Sequence, residues 1–450
     1  MIITNSKKLA KNFLRKNALK IAEAGYEAID IKKAVNSRIK IEKNILKISA
    51  QKNSAFAGGI TRINLNNYNR VFIIGVGKGS ALASLALAKI LGKRLTGGIA
   101  LDKIGLKTKN LKLKTFIGTH PLPSKQNIKA TKKIIKLANS LNKKDLLITF
   151  ICGGGSALLC GSEKELKASQ SVFKELTKRG ANIIELNTVR KHISEVKGGG
   201  LAKIAYPATI ISLIVSDVLG NDISMVASGP TVYDKTTKKD AAKILKKYGL
   251  SNLSTSQVNR LIETPKEKKY FRKVKNILFV SNKDAVLAMA EKAKKLGLKP
   301  KIYSLTLKGE AKKALLPLVE AVKNGEAILA GGETTVNFKN KELGIKNYGK
   351  GGRNMESILG ALNLIPNSYF TIHNLVVLSF ASDGQDNTES AGAIGDYLTI
   401  QKAQKMKLDP KKYLENHDSF HFFQKTGDLI FAKPESFNIS DLMIVLKGKI

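Results

Sequence analysis

Short apolar runs recur along this chain, and each closes on glycine, serine or aspartate before a longer helical pattern begins. VFIIGV at 71–76 leads into Gly77, Lys78, Gly79 and Ser80, then ALASLALAKIL at 81–91. DLLITFI at 145–151 leads into Gly153, Gly154, Gly155 and Ser156, and TIISLIV at 209–215 ends in Ser216 and Asp217. Apolar strands alternating with helical stretches predict an α/β fold of parallel sheets joined by crossover helices. Ligands of such sheets bind outside the carboxyl ends of the strands, so polar residues gathered there are candidate site residues.

A length of 450 residues exceeds one core and predicts two domains, or three. The pattern turns polar and charged across 249–275, and fresh apolar runs follow at 276–280, 302–307, 327–330, 375–380 and 442–446. The expected division is an N-terminal domain at 1–255, a linker at 256–275 and a C-terminal domain at 276–450. The opening stretch reads as a polar then amphipathic helix rather than a signal peptide. No window offers the roughly 20 apolar residues of a membrane span. Cys152 and Cys160 form neither a disulfide framework nor a metal-ligand spacing, which points to the reducing cytoplasm.

Lysine and arginine number 77 against 35 acidic residues, a formal charge of +42, and such a charge invites a nucleic-acid reading. The cations are spread along the whole chain, as in Lys132-Lys133 and Lys246-Lys247, and no nucleic-acid-binding motif accompanies them. A positive field still gathers anionic small molecules. Arginine is scarce, so Arg190 and Arg353 stand out as places where a planar fork is kept in a lysine-biased chain.

Each motif has a plain and a functional reading. The Gly77–Ser80 loop is either a tight strand-helix turn or an anion site at a helix start, and with Asp102 downstream it is nearly a dinucleotide fingerprint. It is not a Walker loop, because Phe72 stands where that pattern needs glycine. Three successive glycines at a strand end are costly to order, so Gly153 to Ser156 reads as a backbone cradle for phosphate. Asp217 is either a carboxylate facing a metal or a turn residue. Gly332 and Glu333 follow another strand, and Arg353 and Asn354 open a helix. Asp383 and Asp386 suit Mg²⁺ or an Asx-rich turn equally in pattern.

Together the stretches VGKGSA, GTHPLPSKQN, CGGGSALL, LNTVRKHISEVKGGGLA, SDVLGNDISMVASGPTVYD, GGETTV, GKGGRNMES, SDGQDNTESAGAIGD and HDSFHFF resemble the glycerate 2-kinase family, whose C-terminal part is the MOFRL domain. The resemblance runs from about residue 17 to 446. It implies a Rossmann-like N-terminal domain, a smaller C-terminal α/β domain and a cleft between them. It also implies ATP-dependent phosphorylation of D-glycerate at the 2-hydroxyl, with a divalent metal, no membrane and no specific nucleic acid, and it leaves a homodimer open.

By position Lys78 and Arg353 match the family's implicated lysine and arginine. On that footing Lys78, Arg353 and Asp217 are expected to be catalytic. Gly77, Gly79, Ser80, Gly153, Gly154, Gly155, Ser156, Arg190, Gly332, Glu333 and Asn354 are expected to bind substrate and ATP, and Asp383 and Asp386 to hold Mg²⁺. The chain departs from the family at Met355, where glutamine is usual, at Asp386-Asn387, and at 431–440, where a Gly-Thr-rich loop gives way to bulkier residues with Glu435. The rival reading is an NAD(P)H-dependent hydroxypyruvate reductase, encouraged by the glycine turn and Asp102.

Overall fold

Residues 1–49, 59–108, 111–250, 261–338, 348–366, 369–370, 374–433 and 438–449 are described by a computed structural model. The chain divides into two units, Ile31–Val280 and Met1–Asp30 with Ser281–Ile450.

The first unit carries β1 (Ile39–Glu42), β2 (Ile45–Ser49), β3 (Ile60–Asn64), β4 (Arg70–Val76), β5 (Leu95–Asp102), β6 (Leu113–Ile117), β7 (Asp145–Cys152), β8 (Thr209–Val215) and β9 (Val274–Val280). The first three form a small antiparallel sheet. The other six form one parallel sheet in the order β6-β5-β4-β7-β8-β9. All eight residues of β7 are buried, as expected of a central parallel strand covered on both faces. Ile74, Val76, Leu147, Ile151, Ile210 and Ile214 share one core with Ile134 and Leu201 of the covering helices. The winding direction reverses between β4 and β7, and Val76 sits beside Ile151 there. Such a switch point opens a crevice at the strand carboxyl ends. The two glycine loops therefore emerge side by side.

The second unit carries β10 (Lys299–Leu307), β11 (Glu326–Gly332), β12 (Leu375–Ala381), β13 (Gly392–Gly395), β14 (Leu429–Ile430) and β15 (Asp441–Lys447), in the order β10-β11-β15-β12-β13-β14. Only β10 and β11 run parallel. The expectation of parallel sheets throughout is corrected here, because β15 returns from the chain end to pair antiparallel with both β11 and β12. Apolar periodicity marks a strand but carries no information about its direction.

The expected domain limits also shift. The run at 276–280 is part of β9 and completes the first sheet, where Ile210 faces Val274. Of the expected linker, 256–260 lie outside the described residues. The rest folds onto the first unit, with the Ile262 N–H donating to the His192 carbonyl at 2.8 Å and the Lys266 ammonium to the Asp234 carbonyl at 2.9 Å. The N-terminal helix Phe13–Ile29 belongs to the second unit, packed on the helix Asn282–Lys295. Among the described residues no helix is long and apolar enough to cross a membrane.

Candidate active site

The loop after β7 is built for close approach. Gly154 lies in the left-handed region at φ 76°, where a side chain is strained. A Cβ on Gly153 would stand 1.9 Å from the Asp217 Oδ2, and one on Gly155 would stand 2.5 Å from the Ala227 Cβ. Ala227 and Ser228 themselves hold positive φ values of 50° and 58°, strain of a kind found at binding sites. Among the described residues the N–H groups of Gly154, Gly155 and Ser156 have no hydrogen-bond acceptor. Gly155 is buried and its two neighbours are half-buried, and successive N–H groups left without acceptors in such a turn suit an anion. The Ser156 hydroxyl is 2.8 Å from that of Ser228, which donates to the side-chain Oδ1 of Asn187 at 3.1 Å.

The loop after β4 is different. The Gly77 N–H donates to Leu101 O at 3.1 Å, Lys78 N–H to Gly153 O at 2.9 Å, and Ala81 N–H to the Asp102 carboxylate at 3.0 Å. The Ser80 side chain is wholly buried. The Ser80 N–H is spent on Gly77 O at 3.2 Å and that of Gly79 on the Asp102 carboxylate, so the backbone donors expected of Gly77, Gly79 and Ser80 for a ligand are engaged within the protein. Gly77 has φ 108°, and a Cβ there would meet the Cys152 carbonyl oxygen at 2.3 Å. Gly77→Ala is expected to cost about 2–4 kcal/mol of unfolding free energy, from left-handed strain plus overpacking, as read by urea denaturation. A loss below roughly 0.5 kcal/mol would refute that packing role.

Burial raises Asp102 to about 6 although backbone N–H groups pull it down. Its carboxylate occupies the helix start that a dinucleotide pyrophosphate would need, which removes the structural support for the reductase reading.

Cations surround the free cradle. A Cβ on Gly154 would lie 3.2 Å from both the Lys78 Cγ and the His120 ring. His120 is lowered to about 4, first by burial and then by Lys78, Lys103 and Arg190. Arg190 stacks on the Phe173 ring at 4.5 Å and bonds only weakly to Asn187 at 3.4 Å, and burial lowers it to about 10. Among the described residues this half-buried guanidinium has no carboxylate partner, which suits it to a ligand anion. Sequence reasoning passed over His120, Asn187 and Ser228, although each lies within a quoted motif. An imidazole among cations stays neutral, and an anion that offsets them raises its pKa. In an NMR titration His120 is expected to stay neutral from pH 8 to 5 in the free protein and to titrate higher with saturating phosphate. An ordinary midpoint near 6.5, unmoved by phosphate, would show that no cation cluster faces it.

The second unit assembles its own group. The Arg353 Nη1 donates to Glu333 Oε1 at 2.6 Å, its Nε stands 2.5 Å from Asp441 Oδ2, and its Nη2 donates to Asp441 Oδ1 at 3.2 Å. Burial alone would lower the guanidinium's pKa; Asp441 and Glu333 more than reverse that. Burial lifts Asp441 to about 7 against the pull of Arg353. Asp441, which opens β15, was not foreseen.

Three residues expected to meet ligand or metal have roles within the protein. Asp386 accepts from the N–H groups of Asn354 at 3.1 Å and Met355 at 2.9 Å, so it caps the helix Arg353–Leu364, and burial lifts it to about 6. A carboxylate so occupied fits a metal poorly. Asn354 is wholly buried and spends its amide on Asp386 and Asp441 and its carbonyl oxygen on Ser379, so it braces rather than binds. Gly332 lets β10 pass, since a Cβ there would lie 2.0 Å from Leu307 O. Asp383 is partly exposed and accepts from Gln385 N–H at 3.1 Å. Among the described residues no group of three or more His, Cys, Asp or Glu side chains is arranged to hold a metal ion. Met355 joins the core of this unit, which explains an apolar residue in that place, and Glu435 lies outside the described residues.

Comparison with known proteins shows the family. Residues 17–263 match a domain described as of unknown function, DUF4147, and 326–441 match the MOFRL family. The D-glycerate 2-kinase of Thermotoga maritima is 34% identical over 395 residues, covering 84% of this chain and 91% of that protein. The glycerate 2-kinase of Pyrococcus horikoshii is 34% identical over 397 residues, covering 84% and 87%. The crystal structure of the Thermotoga maritima glycerate kinase superposes with a TM-score of 0.80 at 30% identity, covering 96% of this chain and 99% of that one. With a cation-ringed glycine cradle in one unit, an arginine held between acids in the other, and relatives of this reach, the chain belongs to the glycerate 2-kinase family.

Proposed function

We propose that this protein is an ATP-dependent glycerate 2-kinase, transferring a phosphoryl group to the 2-hydroxyl of D-glycerate and releasing ADP. The observation that carries the reading is the triad of unpartnered N–H groups at Gly154, Gly155 and Ser156, beside Lys78 and Arg190. Phosphoryl transfer needs positioning and charge neutralisation more than covalent chemistry, and this set supplies both.

In this reading the cradle holds phosphate oxygens, and Lys78 and Arg353 offset the charge of the migrating group. Arg190 grips the glycerate carboxylate, because a planar fork suits it. Asp217, whose carboxylate lies against Gly153, orients the attacking hydroxyl. Asp383, partly exposed after β12, would hold the Mg²⁺ carried by the nucleotide, and the metal would supply screening of the phosphate charge. The free, buried thiols of Cys152 and Cys160 fit a cytoplasmic setting.

The test is incubation with ATP, Mg²⁺ and D-glycerate, coupled to enolase without a mutase. Signal is expected, since enolase consumes only the 2-phosphate. Phosphoryl transfer without that signal would move the product to the 3-position, and no transfer would defeat the proposal.

A further inference from the structure

The cavity beside Arg353 has an end that the roles above leave unused. It measures about 970 Å³. That lies at the top of the range for pockets holding drug-sized ligands and far exceeds what a three-carbon acid fills. Arg353, Asp386 and Asp441 line it, and so do Thr334, Phe338, Tyr348 and His417.

The Phe338 ring centroid is 4.6 Å from that of Tyr348 and 4.6 Å from that of His417, and the last two are 5.4 Å apart. Despite two ring neighbours Phe338 keeps 39% of its surface exposed, on the wall of the cavity. The His417 ring is fixed by Glu356, 3.0 Å from its Nδ1. The glycine segment between the aromatic end and Arg353 is pinned as well: Gly349 N–H donates to Asn416 O at 2.9 Å, and Lys350 N–H to Asp418 Oδ1 at 2.9 Å. Two hydroxyls on this wall, Tyr348 Oη and Thr334 Oγ1, are buried without a hydrogen-bond partner among the described residues, and Thr334 is only 3% exposed. Buried hydroxyls left unmatched cost free energy, and a ligand that meets them recovers it.

We propose that the Phe338–Tyr348–His417 end of this cavity is the base subsite for a purine nucleotide, whose phosphates extend along Gly349–Gly352 to Arg353. The assignment rests on the kinase reading for the identity of the donor. Aromatic rings take a base by stacking, and the two free hydroxyls address polar atoms at its edge. The rigid segment sets the distance between base and phosphate.

The test uses the full chain with Phe338→Ala, Phe338→Tyr and Tyr348→Phe. ADP affinity is read by calorimetry, and KM is read separately for MgATP and D-glycerate. Loss of one stacking partner is expected to weaken ADP and raise the KM for MgATP roughly 5- to 100-fold, with the KM for D-glycerate unchanged. Phe338→Tyr is expected to restore both values. Tyr348→Phe keeps the ring and is expected to weaken ADP several-fold, so the subsite stays testable even where Phe338→Ala fails to fold. Unchanged ADP affinity in both Phe338→Ala and Tyr348→Phe, or an effect confined to D-glycerate, overturns the subsite. A wild-type chain that binds no ADP overturns it too. A wild-type chain that binds ADP yet leaves D-glycerate unphosphorylated defeats the kinase reading alone.

Discussion

Arg353→Lys is expected to lower kcat by about 10²–10³-fold while the protein remains folded, a loss typical of removing one positioned donor at a transition state. The guanidinium reaches Glu333 and Asp441 at once, through nitrogens that point in different directions from one plane. This hold aims the remaining N–H groups. A lysine ammonium on a flexible stem is a point charge that cannot span both acids. It would settle against one of them, and Asp441, wholly buried, would lose its nearest counter-charge. With that cation displaced, the Asp441 carboxyl, already raised to about 7 by burial, would hold its proton to higher pH. The variant is therefore expected to recover part of its stability, though not its kcat, on acidification from pH 8 to 6. Steady-state kinetics with thermal unfolding across that pH range check both halves. Near-normal turnover would remove Arg353 from the chemistry.

Strands buried on both faces were the most legible part of the fold. The run at 209–215 coincides with β8, and those beginning near 71 and 145 fall within a residue of β4 and β7. β5 escaped notice because Thr96, Gly97 and Gly98 interrupt its apolar character, although the sheet buries its second half completely. β1 to β3 are short and alternate between exposed and buried positions, so their signal is weak. The placement of β15 between β11 and β12 joins residues about 60 to 120 apart, and that of the N-terminal helix in the second unit joins residues hundreds apart; no local pattern encodes either.

The site shows the same division. Three ordered glycines marked the loop whose N–H groups stay without acceptors among the described residues, because their conformational cost needs a reason. Sequence could not tell which of two glycine loops kept free donors. That depended on Asp102, whose carboxylate satisfies the first helix start. Nor could it tell a capping Asp386 from a metal ligand, since both are short carboxylates in a polar turn. Scarcity of arginine proved the better guide, because Arg15, Arg70, Arg190 and Arg353 each make a contact that needs a planar fork or a flat face.

Arg15 carries the largest expected effect on stability. It lies in the N-terminal helix with no exposed surface. Its Nε and Nη2 form a bidentate pair with Asp396 at 2.7 and 2.6 Å, its Nη1 reaches Asp428 at 2.7 Å, and Nη2 also donates to Thr399 at 2.7 Å. Asp396 and Asp428 are themselves wholly buried, and Lys402 lies 3.2 Å from Asp428. Removing the guanidinium leaves two buried carboxylates, with a partly exposed ammonium against Asp428. Arg15→Met keeps much of the apolar volume, so its cost isolates the charge, and breaking a buried pair of this kind costs about 3–5 kcal/mol. Urea denaturation at pH 7.5 should show a loss of that size, shrinking at pH 5 as the stranded carboxylates take up protons. Adding Asp396→Asn and Asp428→Asn to Arg15→Met should return part of the loss, since no stranded buried carboxylate then remains. A loss below about 1 kcal/mol in the single variant would mean that the cluster is solvated rather than dry, and that the N-terminal helix is held to its unit by apolar packing alone.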